Sequence, residues 1–197
     1  MEIKAHLTTG NVLTFEMDAE RPADLIKQIK PKDIFRRPVH QFLGNLRMVT
    51  INPQQVEWFE VNAGPVPKNA LMPTAPLVRQ LTRETFAERV SVEKNSLMTA
   101  MEITERRNVF LGFATVTFLS GFSLYLELQS VVGTASERVA SSMKLFSQVA
   151  VFVNAADGGM LIINPANIQI WQVVPGLQKS TPFTVKAELK SIERKKG

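Results

Sequence analysis

The sequence predicts an α+β, mainly β protein: a tandem duplication of a small β-β-α-β-β-β unit, a small barrel or curled sheet with one helix in each copy. Two observations predict this class. A block of residues recurs at a nearly constant offset, and short apolar runs of strand length are separated by glycine and proline turns. With 45% of the 197 residues hydrophobic and 21% charged, the composition excludes disordered, collagen-like and coiled-coil classes.

The repeat is clearest at Ile51–Val56, which returns 112 positions later as Ile163–Ile168 with Ile-Asn-Pro at the head of both. Nearer the front of each copy the offset is 111, where a Thr-Gly pair corresponds to a Ser-Gly pair. We take residues 3–62 and 114–174 as the two copies. The predicted domains are therefore a first β-rich repeat (1–62), a linker with a helix (63–108), and a second repeat with a C-terminal strand and a basic tail (109–197).

Each copy opens with two strands around a glycine turn, at Gly10 and at Gly121. A short helix is predicted next, at 21–29 in the first copy and from the capping-box pattern at 134–137 in the second. Three strands complete the unit. The second copy has an apolar run at 149–153. The equivalent segment of the first copy is polar and contains a proline, which predicts an edge strand or a loop there.

Outside the copies, the apolar residues Leu77, Val78, Leu81, Phe86 and Val90 suggest a linker helix. The clean alternation of Pro182–Leu189 predicts a final strand. The uncharged run Asn108–Leu126 approaches the length of a membrane-spanning helix. Its Ser-Gly turn and the spacing of two after it favour a buried β-hairpin instead.

The composition and motifs of the chain mainly exclude kinds of functional site. The chain has no cysteine and two histidines, His6 and His40, so we expect no metal site and no catalytic cysteine. The two copies share neither histidine, which favours surface or loop positions over catalysis. Phosphate-binding glycine motifs and hydrolase motifs are absent from the sequence, and we predict no cofactor and no catalytic residue.

The net charge of +5 is unevenly distributed. Residues 186–197 carry a net charge of +3, which leaves +2 for the other 185 residues. Because these 185 residues are so close to neutral, they create no strong electrostatic field. A basic terminus of this kind is typical of a solvated tail. Nucleic-acid binding is therefore possible but not favoured. The first residues do not have the pattern of a signal peptide, and a cytoplasmic location without a membrane span is expected, although a periplasmic protein without cysteine would have the same composition.

The repeated Asn-Pro pairs, Asn52-Pro53 and Asn164-Pro165, are the candidate structural turns or interaction sites. Proline suits the second position of a turn, and the asparagine before it can accept a hydrogen bond from the backbone two residues on. A folding role predicts that alanine at either asparagine costs ~0.5 to 1.5 kcal/mol. Retention of the triplet in both copies favours that role over a single catalytic site.

The two acidic residues shared by position, Glu16 and Glu127, are the candidate inter-repeat pair. Paired carboxylates can perform acid and base catalysis. Each alternates with apolar neighbours, however, which favours a solvent-facing position on a half-buried strand. Three aromatic residues could stack on nucleic-acid bases, but acidic rather than basic neighbours favour core packing. These are Trp58, Phe59 and Trp171.

The order of glycine-turn hairpin, short helix, apolar strand and Ile-Asn-Pro-x-x-Ile/Val before a closing strand resembles a family of small bacterial β-rich domains with no established activity. More distantly, each copy is similar to the Sm-like barrels that bind RNA. Where that family has an Arg-Gly pair, this chain has Asn52-Pro53 and Asn164-Pro165, so no RNA-contacting residue carries over. Arg106-Arg107 resembles the start of PilZ-type cyclic-dinucleotide receptors, but their D-x-S-x-x-G motif does not follow.

Function is expected to be non-enzymatic. The leading hypothesis is an interaction or regulatory module with an unidentified protein partner that self-associates into a homo-oligomer, since two small β units have many strand edges and ample apolar surface. The alternative is an RNA-binding, Sm-like duplication. The third hypothesis is a ligand binder or enzyme that uses the interface between the copies.

Overall fold

The computed structural model describes residues 1–17, 30, 33–44, 46–62, 77–102, 109–131, 146–174 and 191. The predicted helix at 21–29, the predicted helix start at 134–137 and the predicted strand Pro182–Leu189 lie outside these residues. Within them the protein is mainly β with one long helix, which confirms the predicted α+β, mainly β class.

In the first part of the chain, the described residues form five strands, with a 3₁₀ turn just before the last of them. These elements are β1 (Glu2–Leu7), β2 (Val12–Glu16), β3 (His40–Leu43), β4 (Met48–Ile51), the first 3₁₀ turn (Pro53–Gln55) and β5 (Val56–Asn62). We call them the first unit. A further strand, β6 (Leu77–Leu81), and the helix α1 (Arg83–Glu102) follow.

The last part repeats the same order of elements. It consists of β7 (Val109–Phe118), β8 (Ser123–Val131), β9 (Val151–Asn154), β10 (Met160–Ile163), the second 3₁₀ turn (Pro165–Asn167) and β11 (Ile168–Val174). We call these elements the second unit. The uncharged run that approached the length of a membrane helix is thus the β7–β8 hairpin. The one helix in the described residues is not long and apolar enough to cross a bilayer.

Nine of the strands form one sheet in the order β11-β7-β8-β6-β9-β10-β5-β1-β2, while β3 and β4 pair with each other in a second sheet. All pairings are antiparallel except that of β6 with β9. The sheet is therefore continuous from one unit to the other, and β10 of the second unit lies directly against β5 of the first.

The two units pair their strands in the same register. In each unit the first strand lies between the second strand and the closing strand, and every residue pair in β1–β5 has a counterpart in β7–β11 at the offsets read from the sequence. Even an irregularity is repeated: the pairing skips Glu57 on β5 and Gln169 on β11, so each closing strand carries a bulge. Descent of both units from one duplicated ancestor stays a prediction.

The linker departs from the prediction. Leu77–Leu81 was expected to be helical but forms β6, which pairs with β8 along its length and meets β9 at Arg79. The helix begins only after Thr82, whose hydroxyl accepts a hydrogen bond from the N–H of Thr85. Local apolar spacing could not distinguish the two states, because a five-residue segment with three apolar residues fits a strand as well as a helix.

Two main apolar clusters lie on the sheet. The first cluster belongs largely to the first unit, and the second to the second unit. Strand β10 contributes to both, since Met160 and Ile162 join the first cluster while Leu161 and Ile163 join the second. Alternate side chains on a strand point to opposite faces of a sheet. One four-residue strand therefore couples the two cores.

Candidate functional site: the junction between the units

The two Asn-Pro pairs occupy equivalent turns. Asn52 caps the first 3₁₀ turn, and its Oδ1 accepts a hydrogen bond from the N–H of Gln54 at 3.0 Å. Asn164 caps the second turn, and its Oδ1 accepts from the N–H of Ala166 at 3.1 Å. Each asparagine thus satisfies a backbone donor at the point where the chain leaves one strand and enters the closing strand.

The two asparagines differ in their surroundings. Asn52 is exposed, whereas Asn164 is only 4% exposed and also donates from Nδ2 to the carbonyl oxygen of Val56 at 3.0 Å. Asn167 donates from its own Nδ2 to the carbonyl oxygens of Gln54 and Val56, both at 2.8 Å. Side-chain amides of the second unit therefore hold the first 3₁₀ turn and the start of β5.

The bulge residue Glu57 adds a charged contact to this junction. Its side chain is buried, and its carboxylate accepts from the N–H of Ser120 at 2.6 Å and from the Ser120 hydroxyl at 2.7 Å. Burial raises the pKa of Glu57, and the two hydrogen bonds from Ser120 oppose that rise. The bulge turns the carboxylate toward the β7–β8 turn. Nothing local in the sequence identified this pair, because its members are 63 positions apart and in different units.

The backbone ladder between β10 and β5 completes the junction. Met160 lies opposite Val61, and Ile162 lies opposite Phe59. Gly159 comes just before β10, where an added Cβ would lie 2.7 Å from the carbonyl oxygen of Val61. The junction therefore consists of a four-residue ladder, a site of close backbone approach, and the polar contacts of Asn164, Asn167 and Glu57.

The strand equivalent to β10 in the first unit is β4, and its surroundings differ sharply. The β3–β4 hairpin exposes four large apolar side chains, which we call the β3–β4 edge: Leu43 (83% exposed), Leu46 (98%), Met48 (58%) and Val49 (39%). Within the described residues, β4 pairs only with β3. Exposed apolar side chains concentrated in one short segment are typical of interaction surfaces.

The predicted pair of acids is not brought together. Glu16 is exposed on β2 at one end of the nine-stranded sheet, whereas Glu127 is on β8, with five strands between them. The expectation that Glu127 faces solvent is wrong, because the residue is 1% exposed. Its carboxylate contacts the guanidinium groups of Arg79, on β6, and Arg89, on α1. Both cations come from the linker, which has no counterpart in the repeat.

The histidines also lie elsewhere than expected. His40 was predicted to be on the surface or in a loop, but it is buried on β3, with Nε2 2.6 Å from the carbonyl oxygen of Ile34. Burial lowers the pKa of His40. His6 is half-buried on β1 and stacks on Trp58 with the ring centroids 4.1 Å apart. Burial also lowers the pKa of His6, although Glu60 opposes this shift.

Trp58 and Phe59 are 3% and 0% exposed, so these rings belong to the core and present no face for stacking on a base. Trp171 is half-buried against the second cluster. A cavity of about 210 Å³ lies between the first cluster and the β3 region, with Arg37 and His40 among its lining residues. The described residues contain no group of three or more histidine, aspartate and glutamate side chains placed to hold a metal ion.

Comparison with known proteins does not assign the chain to a family: no family model, no curated protein and no solved structure matches it. The resemblances drawn from the Ile-Asn-Pro pattern stay predictions. The β10–β5 junction and the exposed β3–β4 edge are thus the features from which function must be argued.

Proposed function

We propose that this chain is a non-enzymatic interaction module that binds protein through the β3–β4 edge. The observation that carries the proposal is the exposure of Leu43, Leu46, Met48 and Val49 on one short hairpin. Apolar side chains on an unpaired strand edge favour association, because a partner strand covers the side chains and pairs with the backbone at the same time.

The junction supports this proposal because an equivalent apolar strand of this chain is paired with another strand and buried there. The side chains of β10 are as apolar as those of the β3–β4 edge, and at the junction they are buried in the two clusters. Covering ~100 Å² of apolar surface stabilises a contact by about 2.5 kcal/mol before entropic costs. Covering the four exposed side chains of this edge would contribute favourably to a contact, and self-association is the form of it that we expect.

Affinity capture with the tagged full chain, followed by identification of the bound proteins, tests the proposal. The variant Leu43→Ser with Leu46→Ser removes two exposed apolar side chains without touching a buried one. The matched control is Val92→Ser, since Val92 is 73% exposed on α1, far from the edge in sequence. We expect one or more proteins, this chain included, to be captured by the wild type and the control but not by the double variant. An identical set of captured proteins in all three would refute the proposal.

A further inference from the structure

Strands β10 and β4 occupy the same position in their units but differ in what covers them. Met160 and Leu161 are each 2% exposed, whereas the equivalent Met48 and Val49 are 58% and 39% exposed. At the junction, β5 of the first unit pairs with β10. No strand in the described part of the chain does the same for β4.

The strand that would cover β4 is present in the same chain, at the other end. Strand β11 is the counterpart of β5, and it is the last strand of the sheet on its side within the described residues. Phe59 and Val61 of β5 are fully buried, whereas their counterparts on β11, Trp171 and Val173, are half-buried. Within the described residues, β4 therefore has no partner strand like β5, and β11 has no partner strand like β10.

The polar contacts of the junction also have counterparts at the two ends. Asn52 corresponds to the buried donor Asn164, and its side chain is exposed. Thr9 corresponds to Ser120 and keeps the hydroxyl. Gln169 corresponds to Glu57, sits at the same bulge and is exposed. The Thr9 hydroxyl can donate to the side-chain carbonyl oxygen of Gln169, just as the Ser120 hydroxyl donates to the carboxylate of Glu57. The counterpart interaction therefore keeps a donor and an acceptor.

We propose that the chain associates head to tail with a second copy of itself, β4 of one copy pairing antiparallel with β11 of the next in the register of β10 and β5. Met48 then lies opposite Val173, and Val49 lies opposite Gln172. This inference rests on the proposed function and names its partner. The contact joins two different surfaces, so repetition yields a closed ring or an open fibre rather than a two-fold dimer.

One position sets the strength of this contact relative to the junction. Ile162, which is fully buried at the junction, corresponds to Thr50 on β4. A threonine covers less apolar surface and brings a hydroxyl that needs a partner. The contact between chains is therefore weaker than the junction within one chain, and assembly is reversible and depends on protein concentration.

Sedimentation velocity and light scattering on the full-length protein test the proposal over a wide concentration range. We expect masses at whole multiples of 22.0 kDa. The fraction of the protein in the larger species should increase as the protein concentration rises. Met48→Lys should weaken association by about 10-fold or more, since it places a charge where an apolar side chain would be covered. Thr50→Ile, which restores the residue found at the junction, should strengthen association several-fold.

Two further variants distinguish this specific contact from nonspecific association through exposed apolar residues. The control Val12→Lys places the same charge on an apolar side chain that is 48% exposed on β2, and association should change by less than about 2-fold, the scale of a lone exposed charge. Val49→Lys should weaken assembly, and adding Gln172→Glu in the same chain should restore it at low salt, because the two positions face each other across the contact. Added salt should remove that rescue.

The proposal is overturned if the wild type stays at 22.0 kDa throughout, if Met48→Lys and Val12→Lys act alike, or if Gln172→Glu gives no rescue. A wild type that is monomeric yet captures another protein through Leu43 and Leu46 leaves the proposed function intact while this inference fails. Thermal unfolding of each variant confirms that the chain is folded, and the exposure of Met48 and Val12 predicts little loss of stability.

Discussion

The side-chain amide of Asn164 donates a hydrogen bond to the backbone carbonyl of Val56 across 3.0 Å, and so links the second 3₁₀ turn to the start of the first unit's closing strand. The same carbonyl also accepts from Asn167. Both donors are buried, where an unpaired amide costs free energy. This contact couples the folding of one unit to that of the other.

Asn164→Ala should therefore cost more stability than Asn52→Ala, although the two residues cap equivalent turns. Both variants lose a cap, worth ~0.5 to 1 kcal/mol. Asn164→Ala also removes the donor to Val56 from a buried site, and we expect a total loss of ~2 kcal/mol. Urea unfolding of the full chain measures the difference. Equal losses would mean that the bond to Val56 adds nothing beyond capping.

Gly159 should tolerate no side chain. An added Cβ would lie 2.7 Å from the carbonyl oxygen of Val61, a backbone atom that cannot move without disturbing the β10–β5 ladder. We expect Gly159→Ala to lower the free energy of unfolding by ~1 to 3 kcal/mol, the usual cost of overpacking. Gly44→Ala is the matched control, because its nearest contact is 3.4 Å away, and it should change stability by less than ~1 kcal/mol. Equal effects of the two substitutions would contradict the close approach.

Several features of the fold were predictable because they are local. The glycine turns, the Asn-Pro turns and the apolar strands each depend on residues within a few positions, and the offset of 111 to 112 predicted the shared register of the two units. The continuation of one sheet through both units was not predictable. It depends on the pairing of β10 with β5, and the apolar sequence of β10 does not specify which strand covers it.

The features that the sequence could not predict bring distant residues together. Glu127 was expected at the surface because its strand alternates, but its buried carboxylate contacts Arg79 and Arg89 of the linker, which offset the cost of burying the charge. Glu57 is buried against Ser120 through a bulge, which shifts the alternation on which surface predictions rest. In both cases an acidic residue is buried by a contact between different parts of the chain.

Removing the cations that face Glu127 should therefore destabilise the chain more than removing the acid. Arg79→Met with Arg89→Met deprives a carboxylate that is 1% exposed of both guanidinium groups, and we expect a loss of ~3 kcal/mol. Glu127→Gln leaves the two arginines, which reach solvent, and should cost ~1 kcal/mol or less.

Adding Glu127→Gln to the double arginine variant should recover much of the loss, because no charge then remains buried at that position. Chemical denaturation of all the variants in one buffer gives the comparison. If the triple variant is no more stable than the double arginine variant, packing by the arginine side chains rather than pairing of charges stabilises this site.

The last prediction concerns pH and Glu57. Burial raises its pKa above the ordinary value of 4.5, so between 4.5 and the raised value the folded chain holds a proton that the unfolded chain has released. The free energy of unfolding therefore falls as pH rises through this window and then levels off. Glu57→Gln keeps an acceptor for Ser120 and removes the titration.

The two histidines act on stability in the opposite direction. The pKa values of His6 and His40 are lowered from 6.5, so their contribution is present above pH 6.5 and is lost as pH falls through their folded values. Subtracting the wild-type free energy of unfolding from that of Glu57→Gln at each pH cancels the histidines and isolates the carboxyl group. The difference should grow from pH 4.5 upward and then become constant. A difference that stays flat from pH 4 to 7 would show that the bonds from Ser120 fully offset the burial of Glu57.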